Sequence, residues 1–200
     1  ILQDNMIPMR NRKKTLEVTM DEMRNFSFAY IEKYAPSKQQ LRTYLLKKYL
    51  KTNVPNVKKQ DITDLIDIVL VDLEKSKFIS DKFYSESKSR SLIQKGSSIN
   101  KIRNYLIGKG INDIYIKETL EKIKEENSDQ DFFSGIKICK KKRIGPARAL
   151  DNRPLFYKKD ISLLARNGFD FETSKRIMDI DQAEYLKIIK LLWFLFFFFS

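Results

Sequence analysis

The chain has 200 residues, 42% of them hydrophobic, with only 6 glycines and 5 prolines, so its composition excludes a disordered polypeptide and favours a folded, helix-rich one. Lysine and arginine exceed aspartate and glutamate by 13, which favours acidic partners such as nucleic acid, although a solvated lysine-rich surface gives the same balance. The lack of histidine excludes Ser-His-Asp and Cys-His catalysis and most zinc sites, and the single cysteine, Cys139, cannot form an internal disulfide.

The first third of the chain predicts an arm followed by three helices. Residues 1–18 are polar and basic and favour a flexible arm. Thr19-Met-Asp-Glu22 fits a capping box, in which a hydroxyl and a glutamate satisfy backbone N–H groups at a helix start, and Pro36 ends this first helix. Ser37-Lys-Gln-Gln40 is a second capping box. After a loop, Asp61 begins a helix whose apolar stripe has the regular spacing of a central core element.

The middle third predicts three more helices. Ser80-Asp81 caps one that Lys95-Gly96 ends, since glycine tolerates the left-handed conformation common after a helix. Ser98 caps the next helix, Gly110 closes it, and Asp113 begins its partner.

The last third predicts another three helices. Ser128-Asp-Gln-Asp131 caps the first, whose last turn is basic as the helix dipole prefers, and Gly145-Pro146 breaks it. Pro154 suits the first turn of the next helix, and Asp170 begins a short final one.

The run from Leu191 to Phe199 is entirely apolar but shorter than the roughly 20 residues that a membrane-spanning helix needs. It is typical of a buried terminal helix, a sticky tail, or a truncated or out-of-frame translation, and its low-complexity phenylalanines favour the last. With no signal peptide, and with a cysteine usage that fits a reducing compartment, the sequence predicts a cytoplasmic location without membrane attachment.

One sequence pattern occurs twice in the chain. Ser37 to Lys48 and Ser98 to Lys109 both fit S-x-x-x-[LI]-R-x-Y-L-x-x-K, sixty-one positions apart, and Leu106–Ile111 has a weaker echo in Leu164–Phe169. Such repetition indicates one supersecondary unit copied along the chain.

The expected fold is therefore all-α, with about nine helices grouped as tandem three-helix repeats in an elongated array that can curve. Each triplet is too short to bury its apolar faces alone, whereas stacked triplets share one core. The predicted division is an arm followed by three repeats and an apolar tail, over 1–18, 19–77, 78–127, 128–180 and 181–200.

The repeated segments resemble the bacterial RecX family of regulatory proteins. The resemblance runs from about residue 26 to 178 and rests on the order of four motifs, Ser37–Lys48, Phe78–Asp81, Lys95–Ile111 and Leu164–Phe171. Glu32-Lys-Tyr-Ala-Pro-Ser37 brings it nearest to alphaproteobacterial members. The third repeat departs from the family pattern because Asn167 replaces the usual basic residue before its glycine, and the phenylalanine tail has no family counterpart.

This resemblance implies tandem three-helix repeats and a non-catalytic regulatory role in recombination, DNA repair and the SOS response. The implied partner is the filament of the RecA recombinase on single-stranded DNA, with the DNA contacted directly or through RecA. Binding along the filament groove would bridge neighbouring protomers and generally inhibit strand exchange and ATP turnover. No cofactor is implied, and we expect a monomer.

The candidate contacts to the filament or its DNA are all basic: Arg42, Lys48, Arg103, Lys109, Lys140, Lys141, Lys142, Arg143, Arg148 and Arg153. Arg42 and Arg103 follow core residues of the repeated helix. They are either matched contacts to acidic groups or structural residues, which form internal salt bridges or cover the core edge with their aliphatic stems, and the structural interpretation is slightly favoured. Tyr44 and Tyr105 are expected to be structural. Lys140–Arg143 is the densest basic stretch, where phosphate binding and a solvated helix end fit equally well.

No enzyme signature is present in the sequence. The chain has neither a G-x-x-x-x-G-K-[ST] loop nor H-E-x-x-H, and helix capping and the helix dipole explain the acidic trio Asp61, Asp64 and Asp67. The alternatives to a RecA regulator are a general basic helical nucleic-acid-binding protein and a helical-repeat scaffold for another protein.

Overall fold

The computed structural model describes residues 16–51 and 57–198, and over these residues it contains ten α-helices, two 3₁₀ turns and no β-strand. The helices are α1 (Met20–Tyr34), α2 (Lys38–Lys51), α3 (Lys59–Lys75), α4 (Asp81–Gln94), α5 (Ile99–Gly108), α6 (Asp113–Glu126), α7 (Gln130–Lys142), α8 (Arg153–Arg166), α9 (Phe171–Met178) and α10 (Gln182–Phe198). The all-α prediction is confirmed, and the described helices exceed the expected nine because α10 occupies the segment predicted as a tail. The predicted arm over 1–18 lies almost wholly outside the described residues.

The chain divides into two compact units. The first comprises the described residues of Ile1–Tyr34 and Leu41–Phe78, and the second those of Ala35–Gln40 and Ile79–Ser200. The short segment Ala35–Gln40, which holds the start of α2, therefore belongs to the second unit.

Several helices begin at the predicted side-chain caps. Ser37 and Gln40 form a reciprocal capping box, in which the Gln40 N–H donates to Ser37 Oγ at 3.2 Å and the Ser37 N–H donates to Gln40 Oε1 at 3.1 Å. The hydroxyls of Ser80 and Ser98 and the carboxylate of Asp170 each accept a hydrogen bond from the N–H three residues further on. These bonds satisfy N–H groups that have no partner inside the helix.

The start of α7 differs from the prediction. The helix begins at Gln130, and the residue before it, Asp129, makes no side-chain capping hydrogen bond. The predicted cap, Ser128, lies one residue further from the helix. Asp131, expected to complete that cap, instead accepts a hydrogen bond of 2.7 Å from the Ile99 N–H at the start of α5. A tertiary partner has replaced the local one.

The first unit is built around α3. The predicted apolar stripe of this helix is buried throughout, at Ile62, Ile66, Val69, Leu70 and Leu73. Helices α1 and α2 bury their own apolar residues in the same unit, at Met23, Leu41, Leu45 and Tyr49. Burial of each such side chain contributes roughly 1.5–3 kcal/mol. The Arg24 guanidinium of α1 also donates to the carboxylate of Asp72 on α3.

The second unit has two apolar clusters. The first comes from α4, α5 and α6 and includes Tyr84, Ile102, Leu106, Ile116 and Leu120. The second comes from α7, α8 and α9 and includes Phe132, Ile136, Cys139, Leu164 and Ile177. Helix α10 covers this second cluster with buried Tyr185 and with Ile188, Ile189 and Leu192. The described part of the predicted tail is thus mostly helical and, on one face, part of a core.

One contact between the start of one helix and the end of another, which we call the joint, occurs twice within the second unit. The Ser37 hydroxyl at the start of α2 donates to the Lys109 carbonyl at the end of α5, at 2.8 Å. The Ser98 hydroxyl at the start of α5 donates in the same way to the Asn167 carbonyl at the end of α8, at 2.9 Å. Each serine therefore caps its own helix and also satisfies a terminal carbonyl of another.

A second hydrogen bond of the joint is repeated as well. The Lys38 N–H donates to Asp81 Oδ1 at 2.8 Å, and the Ile99 N–H donates to Asp131 Oδ1 at 2.7 Å. Both acceptors lie in the first turn of the next helix but one. The two copies of the sequence pattern thus make the same backbone contacts.

A glycine lies in the left-handed region at each copy of the joint. Gly110 has φ +72° and Gly168 has φ +88°. A Cβ atom on Gly110 would lie 2.6 Å from the Gln39 Cβ, and one on Gly168 would lie 2.6 Å from the Ser98 Oγ. Both the backbone conformation and the close approach of α2 or α5 therefore require glycine.

Candidate filament interface

The predicted contact residues lie in very different surroundings, beginning with the two matched arginines. Arg42 donates to Asp67 on α3 through Nε at 2.6 Å and Nη2 at 2.9 Å. This forked ion pair raises the pKa of Arg42, chiefly through the hydrogen bond to the carboxylate. Arg103 is exposed, and its side chain has no ion pair or hydrogen bond within the described ranges. An internal salt bridge, one of the two structural roles predicted for both arginines, is thus present at Arg42.

The lysines of the repeated helices lie beside aromatic rings. The Lys48 ammonium is 3.6 Å from the centroid of Phe26, and the Lys109 ammonium is 5.2 Å from that of Tyr105. A cation over a ring face is attracted by the ring quadrupole, which stabilises both positions without any external partner.

The two repeated tyrosines are half-buried. The Tyr44 ring stacks on Tyr30 at a centroid distance of 4.1 Å, and the Tyr105 hydroxyl lies 3.3 Å from that of Tyr84. Both pack one helix of a unit against another, in line with the structural role expected for them.

The basic stretch Lys140–Arg143 is exposed at all four positions. Its three lysines form the last turn of α7, and Arg143 follows with φ 54°, a left-handed conformation that turns the chain away from the helix. None of the four side chains has an ion pair or hydrogen bond with a residue in the part of the chain that the structure describes. They form a compact cationic surface open to solvent, which we call the α7 basic end.

Arg148 is half-buried and pairs with a carboxylate in the interior of the second unit. Its Nε and Nη2 donate to the two Asp160 oxygens at 2.6 and 3.0 Å, and the Gly145 N–H donates to the same carboxylate at 2.8 Å. Burial alone would raise the pKa of Asp160, which is 1% exposed, but these hydrogen bonds outweigh it and hold the pKa below its ordinary value.

Arg153 is likewise used internally. Its guanidinium donates to the carbonyls of Ile180 and Pro146, at 2.9 and 2.6 Å, and to Gln182 Oε1 at 2.6 Å. Arg153 thus ties the start of α8 to the α9–α10 turn and to the turn after α7. Neither Arg148 nor Arg153 presents an unengaged guanidinium to a partner, so their predicted contact role is the least supported of the set.

Sequence reasoning missed two residues beside Arg148. The Phe156 ring lies 4.3 Å from the Arg148 guanidinium carbon and 5.9 Å from the Lys159 ammonium. The three-residue spacing of Phe156 and Lys159 on a helix was a signal that could have found them. Lys124 was missed as well, because nothing local distinguishes it from other exposed lysines; it shares a surface depression with Arg103.

The described residues offer little for catalysis. Cys139 is completely buried, and burial raises the pKa of its thiol to about 12, so it is not a reactive nucleophile. Within the described ranges no group of three or more acidic or cysteine side chains could hold a metal ion. None of the helices in that part of the chain is both long and apolar enough to cross a bilayer.

The fold and this surface define an all-helical, basic protein with a twice-built joint between helices. A regulatory protein RecX of Myxococcus xanthus (strain DK1622) is 26% identical to it over 177 residues, which cover 87% of this chain and 93% of the relative. The crystal structure of a regulatory protein RecX matches with a TM-score of 0.54 and 17% identity, over 80% of this chain and 74% of that one. No family model matches the chain.

These two comparisons confirm the resemblance to the RecX family, the first in sequence over most of both chains and the second in fold. The all-helical architecture is shared with the solved structure. The proposed alphaproteobacterial affinity stays a prediction, as do the repeat boundaries.

Proposed function

We propose that this protein is a non-catalytic regulator that docks on the filament of RecA and single-stranded DNA and lowers its ATP turnover and strand exchange. The observation that carries the proposal is the similarity to a relative named regulatory protein RecX along 87% of the chain. The site of action would be the cytoplasm, where such filaments form.

The repeated joint supports a repetitive partner. The same helix start occurs twice, at Ser37 and Ser98, and each serine bonds in the same way to the end of another helix. A filament offers the same surface on every protomer, so two weak contacts on one protein act together at high effective concentration. A monomer that engages neighbouring protomers would then bind more tightly than either contact alone.

The α7 basic end supports an acidic partner surface. Its four adjacent cations have no internal use among the described residues, whereas Arg148 and Arg153 do. Cationic side chains that meet phosphates release condensed counterions, so the same surface also favours direct contact with the DNA.

The experiment is a titration of the full chain into RecA that hydrolyses ATP on single-stranded DNA, with binding to bare DNA followed in parallel. We expect inhibition at well below one molecule per RecA protomer, at a salt concentration where binding to bare DNA is weak. Such inhibition requires action on the filament itself.

The α7 basic end also favours a second candidate, a general nucleic-acid-binding protein. In that case inhibition would need enough protein to cover the free DNA, and it would fall steeply with salt in step with bare-DNA binding. No effect on either signal would contradict both functions and leave the scaffold hypothesis.

A further inference from the structure

The two matched arginines differ in what engages them. Arg42 is held by Asp67 through two hydrogen bonds. Arg103 occupies the same position in the second copy of the pattern, yet its guanidinium has no partner within the described residues. An internal ion pair therefore accounts for the first arginine and not for the second.

Arg103 lines an open depression of about 450 Å³ in the second unit. The depression lies where the starts of α5, α7 and α9 meet, and Lys124 from the last turn of α6 brings a second cation to it. Lys124 too has no ion pair or hydrogen bond within the described ranges. Two cations thus face one small space.

The acidic groups in the same depression are already engaged by backbone donors. Asp131 Oδ1 accepts from the Ile99 N–H at 2.7 Å, and Asp170 Oδ1 accepts from the Thr173 N–H at 2.6 Å. Neither carboxylate makes an ion pair with Arg103 or Lys124. The guanidinium and ammonium donors consequently remain for a group from outside.

We propose that Arg103 and Lys124 bind the carboxylate of an aspartate or glutamate side chain of a protein partner. A guanidinium presents a planar fork that matches a carboxylate, and the ammonium adds a point charge. A nucleic-acid backbone fits less well. It carries a negative charge at every nucleotide, so phosphates next to the bound one would be repelled by Asp131 and Asp170, whereas an acidic side chain brings a single charge. The inference rests on the proposed function, in which the partner is a RecA protomer of the filament.

The test uses the full chain with Arg103→Gln, Lys124→Gln and the double change. Each is measured by the concentration that halves RecA ATP hydrolysis on single-stranded DNA, by the affinity for bare single-stranded DNA, and by the thermal unfolding midpoint. The control is Lys117→Gln, which removes one exposed charge from the same helix as Lys124 but away from the depression.

We expect Arg103→Gln to raise the half-inhibitory concentration by about tenfold, the usual effect of losing a charge-assisted hydrogen bond, and the double change to raise it further. Bare-DNA affinity should change no more than in Lys117→Gln, and the unfolding midpoint should stay unchanged, because neither side chain supports the fold. This pattern supports a carboxylate of the filament protein.

Three results would overturn the inference. If the wild type inhibits and all three variants inhibit equally well, the depression is not a contact site, although the proposed function stands. If bare-DNA affinity falls as much as filament inhibition does, the bound group is a phosphate. If the wild type has no effect on the filament, the proposed function fails first and this inference with it.

Discussion

Ser98 donates its hydroxyl hydrogen to the Asn167 carbonyl at 2.9 Å while its oxygen accepts the Lys101 N–H at 3.1 Å. Ser37 makes the same two bonds, with Lys109 and Gln40 as partners. Both serines are completely buried. One small hydroxyl thus satisfies two helix ends at once, which explains why serine stands at both positions of the repeated pattern.

Replacing Ser98 by alanine should lower the free energy of unfolding by about 1–3 kcal/mol. The change removes a helix cap and leaves the Asn167 carbonyl without its hydroxyl donor. Chemical denaturation of the full chain measures the effect. Ser87→Ala, at an exposed position of α4, is the control and should change stability by no more than about 0.5 kcal/mol. Equal effects would contradict a special role for the joint.

Two glycine substitutions should have effects of opposite sign. Gly168→Ala places a Cβ atom 2.6 Å from Ser98 Oγ at φ +88°, so it should destabilise the protein by more than about 1 kcal/mol. Gly108→Ala, in α5, meets no atom within 4 Å and should stabilise it by about 0.5–1 kcal/mol. Thermal or urea unfolding measures both. A stabilised Gly168→Ala variant would show that the close approach at the joint is absent in solution.

The sequence predicted most of what is local in this fold. Ser37, Ser80 and Ser98 cap helices as expected, and the α3 stripe from Ile62 to Leu73 is buried, because both features depend on neighbours within one or two turns. The second use of Ser98, as donor to Asn167, depends on a residue 69 positions away and had no local signal.

The surroundings of the basic residues could not be predicted either, because they too depend on residues that are distant in the sequence. Arg42 and Arg103 share one pattern, yet among the described residues Arg42 forms an ion pair, with Asp67, whereas Arg103 forms none. Arg148 was predicted as a contact to the filament or its DNA, but a buried Asp160 from the following helix engages it. The departure at Asn167 proved structural, since its side chain accepts from Lys101 and donates to the Leu163 carbonyl.

Arg148→Ala should be strongly destabilising. Asp160 is 1% exposed, so removal of the arginine leaves a buried carboxylate whose remaining hydrogen-bond donor is the Gly145 N–H at 2.8 Å. Breaking such a pair typically costs about 3–5 kcal/mol. Urea denaturation at neutral pH measures the decrease in stability. A change below about 1 kcal/mol would mean that Arg148 is not needed for the fold and would return it to the candidate contacts.

The Asp160 carboxylate should also affect how the free energy of unfolding changes at acidic pH. Its pKa is held below the ordinary 3.8 by Arg148 and Gly145, although burial opposes this, so the folded state binds the proton less readily than the unfolded state. Its contribution to stability is present above the ordinary pKa and is lost as pH falls through the lower folded value. Asp160→Asn should therefore lose less stability than the wild type between about pH 5 and pH 2.

The control for the acid experiment is Asp151→Asn, an exposed residue in the turn before α8. Its stability should follow the wild-type pH profile closely. If the Asp160→Asn profile also runs parallel to the wild type, the ion pair with Arg148 does not lower the pKa in solution.

Neutralising the α7 basic end should weaken binding to single-stranded DNA without lowering the stability of the fold. The triple change Lys140→Gln, Lys141→Gln and Lys142→Gln removes exposed charges that have no internal partner within the described residues, so the unfolding midpoint should stay nearly unchanged. Affinity for single-stranded DNA should fall, and the slope of log affinity against log salt should shrink by about 0.7 for each phosphate that the variant no longer neutralises. A matched triple at Lys58, Lys59 and Lys75, exposed residues of the first unit, lowers the net charge equally. Equal salt slopes in the two triples would show that total charge, and not this surface, governs DNA binding.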